Sequence, residues 1–205
     1  NREKNCKSYI VFTNSHVLEG LETEEKSEKY DWRSFLVLQV FDDFGKVIPE
    51  EAIKRVFTYK SSDKTDMQKD VAALLIQIDD SIPISLNDRI LSEELEDRST
   101  LYMEGYPNVL LNDEVNQKLQ LKGISKKIFP ENEEVGVYQI ADSYHWYNDF
   151  KDIQLLQGFS GSPVYVQKEK ESYLIGMNQS ISNIYNGENP FKLVYYLKIE
   201  HILKI

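Results

Sequence analysis

An all-β fold is predicted for this chain of 205 residues. Short apolar runs rich in β-branched and aromatic residues alternate with polar connections carrying Gly, Pro or Asn, the pattern of a barrel or sandwich. Helical spacing is read only at the C-terminus, and no internal repeat is found. Taken in order, Ile10–Thr13, Ser34–Phe41, Ala52–Tyr59 and Val71–Ile78 read as strands of a first half. Glu19–Asp31 is a charge-rich loop, and Asn87–Arg98, charged with scattered leucines, reads as the connection between halves. Leu101–Tyr106, Lys118–Ile128, Val135–Ile140, Ser162–Val166, Tyr173–Ser182 and Leu193–Leu197 then build a second half. Asn186-Gly187-Glu188-Asn189-Pro190 is strong turn chemistry before the last of these. Ile199, Ile202 and Leu203 recur at i, i+3, i+4, so a short terminal helix packed on the second half is expected.

Composition narrows the function classes. Apolar content of 41% and charged content of 28% are ordinary for a globular protein. A formal net charge of −10 argues against nucleic acid as a partner, because phosphate binding needs a basic face. Nothing approaches the roughly 18 apolar residues of a membrane-spanning helix, so no membrane partner is expected. Cys6 is the one cysteine, which excludes an internal disulfide and points to a reducing, cytoplasmic setting. The sequence starts at Asn1 rather than Met, so the lack of a secretory signal carries little weight.

Three segments carry chemistry. Gly158-Phe159-Ser160-Gly161-Ser162-Pro163-Val164 places a serine between glycines just before a strand. His16 closes the apolar run that begins at Tyr9, and Asp70 opens the run Val71-Ala72-Ala73-Leu74-Leu75-Ile76. A nucleophile, a base and an orienting carboxylate therefore occur in the order His, Asp, Ser, which is the chymotrypsin order and not that of α/β-hydrolases or subtilisins. The intervals are 54 and 90 residues, against roughly 45 and 93 in the chymotrypsin template. A hydrolase elbow needs Gly-x-Ser-x-Gly, but Ser162 holds the last position, and the only later histidine is His201.

On these residues the chain resembles the trypsin-like, chymotrypsin-fold serine proteases, closest in motif style to the bacterial HtrA-type branch. Thr13-Asn14-Ser15-His16-Val17 resembles that branch's Thr-Asn-x-His-Val, and Asp70-Val71-Ala72-Ala73-Leu74 its Asp-[Ile/Val]-Ala-x-Leu. The Ser160 segment resembles Gly-Asn-Ser-Gly-Gly/Ser-Pro-Val, and Ile175-Gly176-Met177-Asn178-Gln179-Ser180-Ile181 resembles the strand lining the primary specificity pocket. The resemblance implies one trypsin-like peptidase domain over residues 1–205: two six-stranded Greek-key β-barrels, at 1–97 and 98–205, with a short C-terminal helix. Relatives carry a strand ahead of the histidine strand, whereas only the polar Asn1–Ser8 precede Tyr9 here. The first barrel is therefore expected to lack its N-terminal strand and to leave an open edge.

The chemistry follows from these assignments. Amide hydrolysis needs a base that removes the serine proton and later protonates the amine, which suits the imidazole of His16. A carboxylate must fix its tautomer, which suits Asp70. Backbone N–H groups of Gly158 and Ser160 are expected to form the oxyanion hole, each such donor being worth about 2.7–4 kcal/mol. Taken singly, each segment has an ordinary structural reading as a strand end or turn. Order, spacing and flanking residues together favour catalysis. Phe159 departs from the family, standing where an Asp or Asn usually precedes the nucleophile, so it must order the loop by packing. Counting back from Ser160 places Gln154 at the floor of the specificity pocket, with Gln179, Ser180 and Ile181 along its wall. That floor is neutral, and with Leu155 and Leu156 it leans towards apolar or small substrate side chains.

Other candidates are read as structural. His145 sits among aromatics in Tyr144-His145-Trp146-Tyr147, His201 lies on the terminal helix, and Asp42-Asp43 and Asp79-Asp80 are turn residues rather than a metal site. No metal or cofactor is expected. The function expected is a serine endopeptidase acting on polypeptides through an acyl-enzyme, with further domains or regulators of a larger protein as candidate partners. The competing reading is a catalytically silent protease-fold module that binds peptides or partner proteins.

Overall fold

A computed structural model describes residues 5–19, 44, 46–49, 53–60, 70–84, 89–91, 94–105, 111–112, 115–116, 119–127, 133–141, 158–186 and 189–204. The chain divides into two units, Asn1–Asn87 and Asp88–Ile205.

In the first unit, strand β1 (Cys6–Thr13) leads into the short helix α1 (Ser15–Glu19), and β2 (Ile53–Lys60) and β3 (Ala72–Asp79) follow. They form an antiparallel sheet in the order β1-β3-β2. Register is continuous from Cys6↔Asp79 to Thr13↔Ala72. β3 shows why this sheet holds: its residues alternate buried and half-buried, with Leu74, Ile76 and Ile78 on the inner face. With Ile48 they form a core onto which Tyr9 and Val11 of β1 pack. Each such fully buried aliphatic side chain contributes about 1.5–3 kcal/mol. β1 is longer than the sequence predicts, because the polar Cys6-Lys7-Ser8 pair with β3 through their backbone while staying exposed. The predicted strand 34–41 lies outside the described residues, as does most of the charge-rich loop.

The second unit holds β4 (Arg89–Ile90), β5 (Thr100–Gly105), β6 (Leu111–Asn112), β7 (Val115–Asn116), β8 (Leu119–Lys126), β9 (Val135–Ile140), β10 (Pro163–Lys168), β11 (Glu171–Asn186), β12 (Asn189–Lys198) and helix α2 (Ile199–Ile202). The order β10-β5-β8-β9-β12-β11, closed by β10–β11 pairing, makes a six-stranded barrel. All six pairings are antiparallel. Closure removes the sheet edges that would otherwise invite pairing with other chains. β4 adds parallel to β11 at Tyr173 and Leu174, so part of the connecting segment is built into this unit. Alternation in β5 and β8 turns Leu101, Met103 and Leu121 inward, where they meet Tyr138, Ile140, Val164, Val166 and Val194. Helix α2 buries Ile199 and Ile202 as expected, whereas Leu203 is exposed, since the helix ends there with Leu203 as its C-cap. The all-β architecture with its short terminal helix is the predicted one. Among the described residues, no helix is long and apolar enough to cross a membrane.

Candidate active site

His16 does not sit on the strand that the sequence suggests it closes. β1 stops at Thr13, and His16 occupies the first turn of α1. Register explains what holds that turn. Thr13 pairs with Ala72, so the next residues meet the chain just before β3. Asn14 Nδ2 donates to the Asp70 carbonyl at 3.1 Å. Ser15 Oγ donates to the Val71 carbonyl at 2.8 Å. The His16 backbone N–H donates to Asp70 Oδ1 at 3.0 Å, satisfying an amide that the first turn of a helix leaves without an internal partner. The Ser15 bond is buried and the Asn14 bond partly so, whereas the bond from the His16 N–H lies at the surface.

The other carboxylate oxygen takes the imidazole. His16 Nδ1 lies 2.6 Å from Asp70 Oδ2. The Asp70 side chain is 17% exposed and that of His16 is 46% exposed, so the carboxylate is sheltered and the ring reaches outward. Burial disfavours the charged carboxyl, but the bonds from the His16 ring and backbone outweigh it and hold Asp70 below the ordinary carboxylate range. Sequence reasoning pairs these two residues across 54 positions, and the fold brings them together.

In the second unit, Ser160 lies on a tight turn between Phe159 and Ser162. Ser162 N–H donates to the Phe159 carbonyl at 3.0 Å. Gly161, third in that turn, has φ 82°, and Gly158 ahead of it has φ 99°. Both lie in the left-handed region where a side chain would be strained, which is the physical reason for glycine on either side of the serine. Ser160 is half-buried, and Gly158 is exposed.

Two residues fix this turn from behind. Phe159 is 1% exposed and belongs to the barrel core with Met103, Leu121 and Val164. Its seat depends on Gly105, where an added Cβ would fall 2.7 Å from Phe159 Cδ1 and 2.4 Å from Ser162 Oγ. The ring is therefore packed into the barrel core, the placement the loop-ordering role requires; Leu155 and Leu156, its other expected neighbours, lie outside the described residues.

The second residue, Asn178 of β11, is one that sequence reasoning does not single out. Its Nδ2 donates to the Phe159 carbonyl at 2.8 Å. Its N–H donates to the Ser162 carbonyl at 2.8 Å, and its carbonyl accepts from Gly161 N–H at 3.1 Å. A planar trans peptide sets its N–H opposite its C=O. Anchoring the Phe159 carbonyl on Asn178 thus turns the Ser160 N–H to the other side, where neither it nor Gly158 N–H meets an acceptor among the described residues. The signal available was only Asn178's place two residues after Gly176 in the quoted strand.

Of the predicted specificity residues, Gln179 is buried, and neither of its side-chain amide atoms has a hydrogen-bond partner among the described residues. Ser180 and Ile181 are half-buried on β11, just past the register shift between Asn178 and Ser180. Gln154 and His145 lie outside the described residues. His201, on α2, pairs with Glu134 at 3.3 Å.

No protein-family model and no curated protein sequence matches the chain. Solved structures do. A Glu endopeptidase is 13% identical, with 95% of this chain and 80% of that one covered and a TM-score of 0.50. A thermostable serine protease, AL20, from an extremophilic microorganism is 9% identical over 73% of this chain, at a TM-score of 0.46. The match spans 63% of AL20's length. An inactivated protease paralogue of the scabies mite, S-I1, is 15% identical over 95% of this chain and 80% of its own, at a TM-score of 0.48. Together with the closed barrel, the Glu endopeptidase likeness defines the fold as that of the trypsin/chymotrypsin-type serine proteases.

Proposed function

We propose that the chain is a serine endopeptidase in which Ser160 is the nucleophile, His16 the general base and Asp70 the carboxylate that orients it. The observation that carries this reading is the double grip of Asp70 on His16, at Nδ1 and at the backbone N–H. A structural histidine needs no such clamp. A catalytic one does, because a sheltered carboxylate on Nδ1 fixes the tautomer and orientation in which Nε2 exchanges the proton.

In this reading His16 Nε2 takes the Ser160 hydroxyl proton as Oγ bonds to the scissile carbonyl carbon. The carbonyl π pair moves onto oxygen, and Gly158 and Ser160 N–H groups hold the resulting anion. Collapse of the tetrahedral species breaks the C–N bond, and the amine leaves with the proton from Nε2. Water then repeats the cycle on the acyl-enzyme and releases the acid and Ser160. The left-handed Gly158 and the anchored Phe159 carbonyl support the oxyanion assignment.

The finer placement follows the sequence. Four ordered segments favour the HtrA-type branch and a bacterial origin, and a single cysteine favours the cytoplasm. Gln154, Gln179, Ser180 and Ile181 are proposed to bound the primary pocket, which would take apolar or small side chains. The substrate is polypeptide, and other domains or regulators of a larger protein are proposed partners. Ser160→Ala tests the assignment: peptide cleavage should vanish while the circular-dichroism spectrum and urea midpoint stay unchanged. Cleavage retained by the purified variant would refute it.

A further inference from the structure

A cavity of about 490 Å³ opens within the second unit, away from the Ser160 turn. Its floor is apolar, made by Leu91, Leu95, Val135, Val137 and Ile175. Five carboxylates surround that floor, from Glu94, Glu96, Asp97, Glu133 and Glu200, against three ammonium groups, from Lys126, Lys127 and Lys198. None of these eight is in an ion pair among the described residues.

A buried phenol faces the cavity. Tyr196 is 3% exposed, and its ring fills space left by two glycines. A Cβ at Gly176 would fall 2.7 Å from Tyr196 Cδ2, and one at Gly136 only 2.1 Å from Cζ and 2.3 Å from Oη. Gly136 lines the cavity too, so the ring points its hydroxyl end at the cavity wall. That hydroxyl meets no hydrogen-bond partner among the described residues. Burial, with the nearby charge of Glu200, pushes the phenol's pKa up, so it stays neutral. The ring is buried, but the oxygen itself is not among the buried atoms left unpartnered, so it opens to the cavity and is placed to accept from an incoming donor.

We infer that this cavity is a docking site for a basic peptide segment, one presenting lysine or arginine beside an aliphatic side chain. The carboxylate excess attracts the cation, the floor takes the aliphatic stem, and the Tyr196 oxygen accepts one N–H of the cationic head. The volume falls in the range of roughly 300–1,000 Å³ usual for ligand sites. The site is separate from the proposed nucleophile, so it would engage a substrate or partner at a distance from the bond being cut.

The test uses the full chain carrying Ser160→Ala, so that binding is measured without cleavage and does not depend on the catalytic reading. The probes are fluorescently labelled Ala-Leu-Lys-Leu-Arg-Ala and its counterpart Ala-Leu-Glu-Leu-Glu-Ala, blocked at both ends and followed by anisotropy. The basic peptide should bind and the acidic one should not. Tyr196→Phe keeps the ring and should weaken binding roughly 2–10-fold, the worth of one hydrogen bond. Glu94→Gln with Glu200→Gln should weaken it further, and this pair guards against a folding defect in the tyrosine variant. Equal binding of both peptides, or basic-peptide binding that ignores all three substitutions, would overturn the inference, as would no binding at all.

Discussion

Asn178→Ala offers the sharpest perturbation of the nucleophile turn. The substitution removes one buried hydrogen bond, from Nδ2 to the Phe159 carbonyl at 2.8 Å. The carbonyl keeps the Ser162 N–H at 3.0 Å, and the backbone bonds of residue 178 to Gly161 and Ser162 survive. The cost to stability should therefore be modest, about 1–3 kcal/mol for loss of the bond and an under-satisfied carbonyl. Activity should suffer more. The Phe159–Ser160 peptide is planar, so a carbonyl that has lost one of its two anchors can tilt and turn the Ser160 N–H with it. Loss of one oxyanion donor slows turnover by ~10²–10³. The assay pairs kcat/KM on a peptide substrate with urea unfolding of the same preparation. A turnover loss no larger than the stability loss accounts for would refute the idea that Asn178 acts through the Ser160 amide.

Three further perturbations follow. Gly105→Ala should push on both Phe159 and Ser162, costing about 1–3 kcal/mol as an overpacked core does, and a urea midpoint equal to that of the parent would contradict the close contacts. Phe159→Ala empties a large core site and should cost about 3–5 kcal/mol; at temperatures where the variant is still folded, turnover should fall as well, and an unchanged rate would show that Phe159 does not order the loop. Asp70→Asn should lower kcat by about 10⁴, as loss of the orienting carboxylate does in the template triad. The same variant reports the pH dependence of stability. The folded carboxyl is held below its ordinary value, so its stabilising effect is complete above the unfolded pKa near 3.9 and fades as pH drops through the folded pKa. The urea midpoint gap between parent and variant should thus hold near neutrality and close below about pH 4; a gap that widens in acid would contradict the sign.

Particular residues show what a one-dimensional reading can and cannot reach. Strand β9 runs from Val135 to Ile140 as predicted, because its apolar residues are compact and bounded by polar ones. β1 begins earlier than expected, since its first residues, Cys6 to Ser8, hydrogen-bond to β3 while showing exposed polar side chains. Helix α1 was hidden because its first turn is held by Asp70 and Val71, partners 54 and 56 residues away. The His16–Asp70 pairing was legible from motif order, whereas the grip on the His16 backbone N–H was not. Asn178 went unread for a related reason: its bonds to Phe159, Gly161 and Ser162 exist only once β10 and β11 lie side by side. The Tyr196 cavity depends on which glycines face which ring, and spacing along the chain carries no record of that.

The central claim is that Ser160 is an activated nucleophile served by His16. Reaction with a fluorophosphonate probe, followed by mass spectrometry of the modified peptide, tests it most directly. The account predicts one adduct per chain, located on Ser160, formed rapidly by the parent, slowly by His16→Ala and not at all by Ser160→Ala. A parent chain that resists the probe, or an adduct on another residue, would contradict it and leave a protease fold used for binding.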